Sequence, residues 1–244
     1  MSERFFVATP IAGDRALLTG GEAHHLIHVM RAAPGTAVTL FDGSGCEFSA
    51  EVRRIGRSEV ELAVLQRLEI NRELPVPVVL GVALPKGDRQ KWLVEKAVEL
   101  GVGRIVPLRT SRGVAQPVQQ ALDRLGRSVI EASKQCGRNQ LLDLAEPQSW
   151  QEFMTAKLGA QCRVVAHPAV RLGTKPETTF PTLPASGHGV VALAVGPEGG
   201  LSPEEVDLAL ASGWQLVDLG ARVLRTETAA IVLAAWAIQR IAAR

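Results

Sequence analysis

The fold of this 244-residue chain is decided by two stretches, VVALAVGPEGG at residues 190–200 and VDLGARVLRTET at residues 217–228. Each begins with a short run rich in Val, Leu and Ala and ends in a glycine-bearing segment, which is typical of a buried parallel strand leading into a loop. Between them, Ser202, Pro203 and Glu205 predict a capping box that opens a helix. Ligands bind at the carboxyl ends of strands in open parallel sheets, so we expect a binding site here.

The glycine-bearing loops lack the usual phosphate-binding signatures. GPEGG is not followed by the Lys and Ser or Thr of a P-loop, and the GxGxxG spacing of dinucleotide sites is absent. Glycines without such a signature favour close backbone approach to a flat or neutral ligand, such as an adenine ring with its ribose. The alternative, that Gly199 and Gly200 only form a turn before the helix, fits the spacing equally well.

These stretches also carry a family resemblance. LAVGPEGGLSPEEV and LGARVLRTETAA resemble the signature of the SPOUT methyltransferase superfamily and, more narrowly, of the 16S ribosomal RNA uracil N3-methyltransferase family (RsmE-type). The matching segments follow the order of that family over nearly the whole chain. The further matches are HHLIHVMR (24–31), KGDRQKWLVEKAVELGV (86–102), EASKQCGRN (131–139) and AHPA (166–169).

The resemblance implies a fold, a cofactor and partners. The fold is α/β, with a SPOUT parallel-sheet methyltransferase domain that contains a deep trefoil knot (73–244) and a small N-terminal PUA-like β-barrel domain that binds RNA (1–72). The cofactor is S-adenosyl-L-methionine, and the partners are 16S rRNA within the 30S subunit and a second copy in a homodimer. The residues implied for cofactor binding are His167, Pro168, Gly196, Pro197, Glu198, Gly199, Gly200, Leu219, Gly220, Val223, Leu224 and Thr228.

Composition narrows the class of protein. The length allows one large domain, or one small and one medium domain. Three cysteines without CxxC spacing favour a reducing, cytoplasmic setting and argue against a zinc site. The charged start MSERFF predicts no secretory signal, and the longest apolar run, 229–238, is only about half of a membrane span. We therefore expect a cytoplasmic protein.

The N-terminal pattern suggests a small α+β barrel. Apolar residues alternate with polar ones in several short runs, separated by Asp-Gly and Gly-Arg-Ser breakers. We predict a short helix over 22–31 and strands over 4–11, 37–41, 47–55 and 59–68.

Three histidines on the predicted helix, His24, His25 and His28, raise the possibility of a metal site. A zinc site needs further ligands, and the HExxH motif is absent. Histidines at the surface or in packing are favoured instead, and we expect no metal.

Beyond a linker at 71–77, the pattern changes to alternating strands and helices, which indicates a parallel α/β sheet. The last helix is apolar on all sides over 229–238, so a partner subunit or the rest of its own chain must cover it. A proline-bearing loop over 169–188 is functional or mobile. We predict further strands over 78–84, 104–108 and 163–166 and helices over 88–100, 117–136, 151–158 and 227–242.

The charge distribution leaves RNA binding open. The formal net charge of +2 is too small to indicate a nucleic-acid partner by itself. A run of basic residues between 104 and 138 is compatible with RNA contact or with a solvated helix face. With the resemblance taken into account, the candidate RNA-binding residues are Arg4, Arg31, Arg109, Arg112 and Arg138.

Methylation of uracil N3 defines what the catalytic residues must do. N3 carries a proton at neutral pH, so the enzyme must remove it, stabilise the uracil anion and align nitrogen, methyl and sulfur. Arg225 is the candidate for stabilising the anion, and Glu198 and Glu227 are the candidate proton acceptors. Alternatively, Glu198 could only fix its loop, Glu227 could only interact with the helix dipole, and water could accept the proton.

Other functions remain open. The same fold could act on another position in ribosomal or transfer RNA. A ribosome-associated RNA-binding protein without turnover is a second alternative, although such a protein need not retain both LRTET and GPEGG. An unrelated α/β nucleotide-binding enzyme is disfavoured by the missing phosphate motifs.

Overall fold

The chain folds into two compact units. The computed structural model describes residues 3–113, 118–168 and 189–242, so the predicted loop over 169–188 lies outside the described residues. The N-terminal unit comprises 1–73 and 130–141, and the C-terminal unit comprises 74–129 and 142–244. Residues 130–141 thus belong by sequence to the second predicted domain but cluster with the first unit. Within the described ranges, no helix combines the length and apolarity needed to span a membrane.

The N-terminal unit is built on a five-stranded sheet. Its strands are β1 (Arg4–Phe6), β2 (Arg15–Thr19), β3 (Ala37–Phe41), β4 (Glu47–Ile55) and β5 (Glu59–Leu68). The spatial order is β1-β3-β4-β5-β2. β1 and β3 are parallel, and all other neighbours are antiparallel. The predicted bounds of β3, β4 and β5 are confirmed.

Two N-terminal strands differ from the prediction. The first strand ends at Phe6 instead of Ile11, because Pro10 has no N–H to donate and the Ile11 N–H donates to the Asp42 carboxylate at 2.8 Å. Strand β2 was not predicted. Of its five residues only Leu18 is fully buried, so the two-residue periodicity that marks a strand is weak there.

The predicted helix over 22–31 begins earlier and changes its winding. Helix α1 spans Gly20–His24 and continues as a π-helical turn over His25–Val29, in which the Met30 N–H donates to the His25 carbonyl. Arg31 follows in the left-handed region, at φ 54°. The rings of His24 and His28 pack against each other with centroids 4.7 Å apart, so these two histidines contact each other on one helix face.

Residues 130–141 are joined to the N-terminal unit by polar contacts. They include the end of helix α3 (Gln119–Cys136), where Lys134 Nζ lies 2.9 Å from Glu22 Oε1. The Asn139 side chain accepts from Arg4 Nη2 at 2.7 Å and donates to the Ile70 carbonyl at 3.0 Å. These contacts explain why the segment clusters with strands that are far away in sequence.

The C-terminal unit contains a parallel sheet. Its strands are β6 (Val78–Val82), β7 (Arg104–Arg109), β8 (Asp143–Leu144), β9 (Gln148–Ser149), β10 (Ala160–Ala166), β11 (Val190–Val195) and β12 (Gln215–Val217). The order is β12-β10-β11-β6-β7-β8, and β9 also pairs with β7. All of these pairings are parallel, as predicted. The two-residue strands β8 and β9 were not predicted, because two residues carry no periodicity.

The helices of the C-terminal unit begin and end close to their predicted bounds. They are α2 (Arg89–Glu99), the first part of α3, α4 (Trp150–Thr155), α5 (Pro203–Ala211) and α6 (Thr226–Ala242). The predicted capping box is confirmed: the Ser202 hydroxyl accepts from the Glu205 N–H, and the Glu205 carboxylate accepts from the Ser202 N–H. Gly101 follows α2 with φ 85°, as expected for a residue that ends a helix.

The core of the C-terminal unit lies against the central strands. All five residues of β6 are buried, as expected for a strand with both faces covered. Gly81 in β6 leaves room for an aromatic ring, since a Cβ there would lie 2.7 Å from Phe153 Cζ. The Phe153 ring in turn packs against Trp214 at a centroid distance of 5.5 Å.

Candidate active site

Three neighbouring strands end at the same edge of the parallel sheet. Ala166 at the end of β10 is in register with Val195 of β11 on one side and with Val217 of β12 on the other. The loops that follow, 167–168, 196–200 and 218–225, therefore start side by side. This is the edge at which the sequence predicts a ligand.

The three loops enclose a cleft. Nine of the twelve predicted cofactor-binding residues line it, namely His167, Pro168, Gly196, Pro197, Glu198, Gly200, Leu219, Val223 and Leu224. The cleft is also lined by residues that were not predicted, namely Ala166, Val195, Leu201, Asp218, Arg222, Thr226 and Ala229.

Three predicted cofactor residues, Gly199, Gly220 and Thr228, do not line the cleft. The Gly199 carbonyl instead accepts from Arg112 Nη1 at 3.4 Å. Gly220 has φ 115°, and its N–H donates to Asp218 Oδ1 at 2.9 Å, so it shapes the turn after β12. Thr228 is half-buried in the first turns of α6.

Hydrogen bonds hold the loops of the cleft together. The Thr226 hydroxyl donates to the Gly196 carbonyl at 3.3 Å, which connects the start of α6 to the loop after β11. The His167 N–H donates to the Val217 carbonyl at 2.9 Å. Gly200 closes a tight turn by donating to the Pro197 carbonyl, with φ 72°. Much of the cleft wall is therefore fixed by backbone groups.

The lining of the cleft suits a molecule with a flat ring and several polar groups. Leu201, Leu219 and Leu224 supply apolar surface, and Glu198 and Asp218 supply carboxylates. Asp218 directly follows a strand within the quoted stretch, and this placement is the signal that could have identified it. The described part of the chain holds no cluster of three or more His, Cys, Asp or Glu side chains arranged for a metal ion.

The catalytic candidates occupy different environments. Glu198 lines the cleft, whereas Glu227 is buried in the first turn of α6. Arg225 is exposed, lies outside the lining of the cleft and makes no ion pair with the residues that the structure describes. Arg89, at the start of α2, lies 3.1 Å from Glu198 Oε1 and 3.6 Å from Glu227 Oε2. Sequence reasoning missed Arg89, although it lies in the matching segment 86–102.

The candidate RNA-binding arginines fall into two groups. Arg4 and Arg138 are largely buried and form ion pairs with Glu47 and Glu73, so their guanidinium groups are directed to carboxylates and not to solvent. Arg31, Arg109 and Arg112 are exposed. The sequence did not predict that Arg4 and Arg138 are buried, because their acidic partners Glu47 and Glu73 are distant along the chain.

Comparison with known families is consistent with this architecture. The family model of the RNA methyltransferase domain matches residues 72–238, and that of the RNA methyltransferase PUA domain matches residues 18–65. Ribosomal RNA small subunit methyltransferase E of Synechocystis is 34% identical, over 88% of this chain and 70% of the relative. The protein of the same name from Bacillus subtilis is 30% identical, over 87% of this chain and 85% of the relative.

Solved structures agree at the level of the whole chain. Ribosomal RNA small subunit methyltransferase E of Neisseria gonorrhoeae, bound to S-adenosyl methionine, has a TM-score of 0.85 and 28% identity, with 98% of this chain and 97% of that chain covered. A proposed methyltransferase of Legionella pneumophila, in complex with the same cofactor, has a TM-score of 0.86 and 33% identity, with the same coverage. With its parallel sheet, its PUA domain and these relatives, the chain belongs to the RNA methyltransferase family.

Proposed function

We propose that this protein transfers a methyl group from S-adenosylmethionine to N3 of a uridine in 16S rRNA of the 30S subunit. The observation that carries the proposal is the cleft formed at the carboxyl ends of β10, β11 and β12. Relatives that are similar over nearly the whole chain are named small-subunit ribosomal RNA methyltransferases, and two of the solved structures hold the cofactor. Because the proposed substrate is 16S rRNA of the 30S subunit, we also propose that the protein is cytoplasmic.

S-adenosylmethionine binds in the cleft. Its adenine ring packs against the apolar side chains of Leu201, Leu219 and Leu224, and backbone groups of the loop 196–200 form hydrogen bonds with the polar edge of the ring. Asp218 and Thr226 join the predicted cofactor residues because they line the same cleft. Gly199 and Gly220 act indirectly, by shaping their loops.

The methyl transfer needs a proton acceptor and a group that stabilises the uracil anion. Glu198 and Glu227 are the two candidate acceptors: Glu198 lines the cleft, and Glu227 lies in the adjoining first turn of α6. Arg225 lies between Leu224 and Thr226, two residues of the cleft wall, and its exposed guanidinium is available to an incoming base.

The RNA contacts involve exposed cations. Arg31 in the N-terminal unit and Arg109 and Arg112 in the C-terminal unit bind phosphate oxygens, for which the forked guanidinium is suited. Arg4 and Arg138 are left out of this set, because their carboxylate partners would have to be displaced first.

We also propose that the chain forms a homodimer and that its C-terminal methyltransferase domain contains a trefoil knot. Helix α6 buries Ala230, Leu233 and Ala237, but its opposite side leaves Val232 40% exposed and Trp236 partly exposed in the single chain. A second copy of the chain covers this apolar side. The strand order supports the knot proposal, since β12 pairs with β10, and not with β11, which precedes it in the chain.

The deciding experiment is methyl transfer from labelled S-adenosylmethionine to purified 30S subunits that lack the modification, followed by nucleoside mass spectrometry. We expect 3-methyluridine in 16S rRNA, and its loss in Arg225→Ala. A different methylated nucleoside would support the family and contradict the N3 assignment. Cofactor binding without transfer to 30S subunits would contradict the proposed substrate.

A further inference from the structure

Arg89 lies between two carboxylates that come from different segments around the cleft. Its Nη1 atom is 3.1 Å from Glu198 Oε1 and 3.6 Å from Glu227 Oε2. Arg89 begins α2, Glu198 lies in the loop after β11, and Glu227 lies in the first turn of α6. One guanidinium group therefore joins three elements of the C-terminal unit.

The two carboxylates are not equivalent. The Glu198 side chain is 40% exposed and makes the shorter contact with Arg89, whereas the Glu227 side chain is 8% exposed. Glu227 Oε2 is buried and has no hydrogen-bond donor among the described residues. Its contact with Arg89 Nη1 at 3.6 Å is an ion pair that is longer than a hydrogen bond, so this oxygen has a lone pair that no described donor occupies.

Glu227 is adjacent in sequence to a residue of the cleft wall. Thr226, the preceding residue, lines the cleft and donates its hydroxyl hydrogen bond to the Gly196 carbonyl. Glu198 lines the cleft from the loop after β11, the same loop that contains Gly196. Arg89 therefore contacts both the loop that carries Glu198 and the helix turn that carries Glu227.

We propose that Arg89 is a positioning residue, and that Glu227, held by Arg89, is the group that accepts the proton from uracil N3. This inference rests on the proposed function. The N3–H bond breaks and the proton goes to the Glu227 carboxylate. The N3 lone pair forms a bond to the methyl carbon, the carbon–sulfur bond breaks, and its electron pair stays on sulfur as the neutral thioether.

Glu198 has a supporting part in this arrangement. When Glu227 takes up the proton and loses its charge, Arg89 keeps Glu198 as an anionic partner. Both contacts are made by the same atom, Arg89 Nη1, so a single nitrogen reaches the two carboxylates. Arg89→Lys keeps a cation at this position, but on a more flexible stem, and should therefore retain only part of the positioning.

The test uses the full-length protein with unmodified 30S subunits, and measures kcat and the dissociation constant of S-adenosylmethionine separately. We expect Arg89→Ala to lower kcat by roughly 100-fold, the size of effect that a misplaced catalytic group causes. Cofactor affinity should change by less than about fivefold, because partly exposed ion pairs contribute little. Arg89→Lys should recover part of the lost kcat. Lys91→Ala, on the same helix with its own partner Glu95, serves as the matched control and should behave as wild type.

A double variant of Arg89 and Glu227 tests whether Arg89 acts by positioning Glu227 or only stabilises the fold. Glu227→Gln should lose at least as much kcat as Arg89→Ala, and the double variant should lose no more than Glu227→Gln alone. Losses that multiply in the double variant, or a loss in Arg89→Ala confined to cofactor affinity, would overturn the inference. An active wild type with an equally active Arg89→Ala would overturn it as well. A wild type that methylates no RNA would instead overturn the proposed function and the inference with it.

Discussion

At the scale of single residues, Gly196 is a position in the cleft wall that leaves no room for a side chain. A Cβ there would lie 2.8 Å from Leu201 Cδ2 and 2.9 Å from Leu201 Cγ. Both residues line the cleft, so a side chain at position 196 would force a rearrangement of the cleft wall. The conformation of the backbone does not require glycine at this position, and the constraint is steric.

We predict that Gly196→Val abolishes binding of S-adenosylmethionine and leaves the protein folded. Gly220→Val should also lose binding, through backbone strain of about 1–3 kcal/mol at φ 115° and not through a clash, because no atom lies within 4 Å of its Cβ position. Calorimetric titration and circular dichroism test both. Gly126→Ala, in α3 with open space around it, is the control and should bind normally. Unchanged affinity in Gly196→Val would contradict the placement of the cofactor.

The three cysteines differ in burial, and a difference in reactivity is expected from it. Cys46 and Cys162 are buried and Cys136 is partly exposed. Burial raises the pKa of Cys162 to about 11, so its thiolate is scarce near neutral pH. We predict that the native protein at pH 7.5 reacts quickly with a thiol reagent only at Cys136. Peptide mass spectrometry after brief labelling identifies the site, and fast labelling of Cys162 would contradict its burial.

At the scale of elements, the N-terminal unit depends on an ion-pair network around Glu47. Arg4 Nη1 lies 2.5 Å from Glu47 Oε2, and Arg72 Nη1 lies 3.0 Å from the same atom. Burial of Glu47 disfavours its charged form, but the hydrogen bonds from Arg4 and Arg72 outweigh this effect and lower the pKa of the carboxyl below its ordinary 4.5. The carboxylate thus favours the folded state.

The sign of the resulting pH dependence follows from this lowered pKa. The folded state binds fewer protons than the unfolded state, so the contribution of Glu47 is fully present above pH 4.5 and is lost as the pH falls through the folded-state pKa. We predict that Glu47→Gln lowers the free energy of unfolding at pH 7 and flattens its dependence on pH on the acidic side. Urea unfolding between pH 3 and 7 measures both. Parallel curves for the variant and the wild type would contradict the prediction.

At the scale of the whole molecule, α6 is the element that a single chain leaves incomplete. The apolar run 229–238 is buried on one side, where Ala230, Leu233 and Ala234 pack inward, and open on the other at Val232. An apolar helix with one uncovered side is expected to bind a partner surface. The sequence predicts that a partner subunit or the rest of the same chain covers the run, and only the structure shows which residues a single chain leaves exposed.

If the proposed homodimer forms through α6, we predict that Val232→Glu yields a folded monomer with little methyltransferase activity, because a buried unpaired carboxylate opposes association. Light scattering after size exclusion gives the mass, and the transfer assay on 30S subunits gives the activity. Leu210→Glu is the matched control, since Leu210 is an exposed apolar residue of α5 at 50% exposure and should tolerate the charge. A Val232→Glu variant that remains dimeric would place the interface elsewhere.

The sequence by itself determined most local structure and the family. Strands β3, β4 and β5, the capping box at Ser202 and Glu205, and the loops that form the cleft depend on nearby residues, and periodicity and capping are local signals. The GPEGG and LRTET stretches carried the resemblance to RNA methyltransferases, and this family is confirmed.

Only the tertiary structure decided which distant charges meet. Arg89, Glu198 and Glu227 come together because α2, the loop after β11 and α6 converge in the C-terminal unit. Arg4 pairs with Glu47, and the Asn139 side chain accepts from Arg4 across 135 positions of the sequence. Coulomb interactions depend on distance in space, and a pattern along the chain contains no information on which side chains the fold brings within a few ångströms.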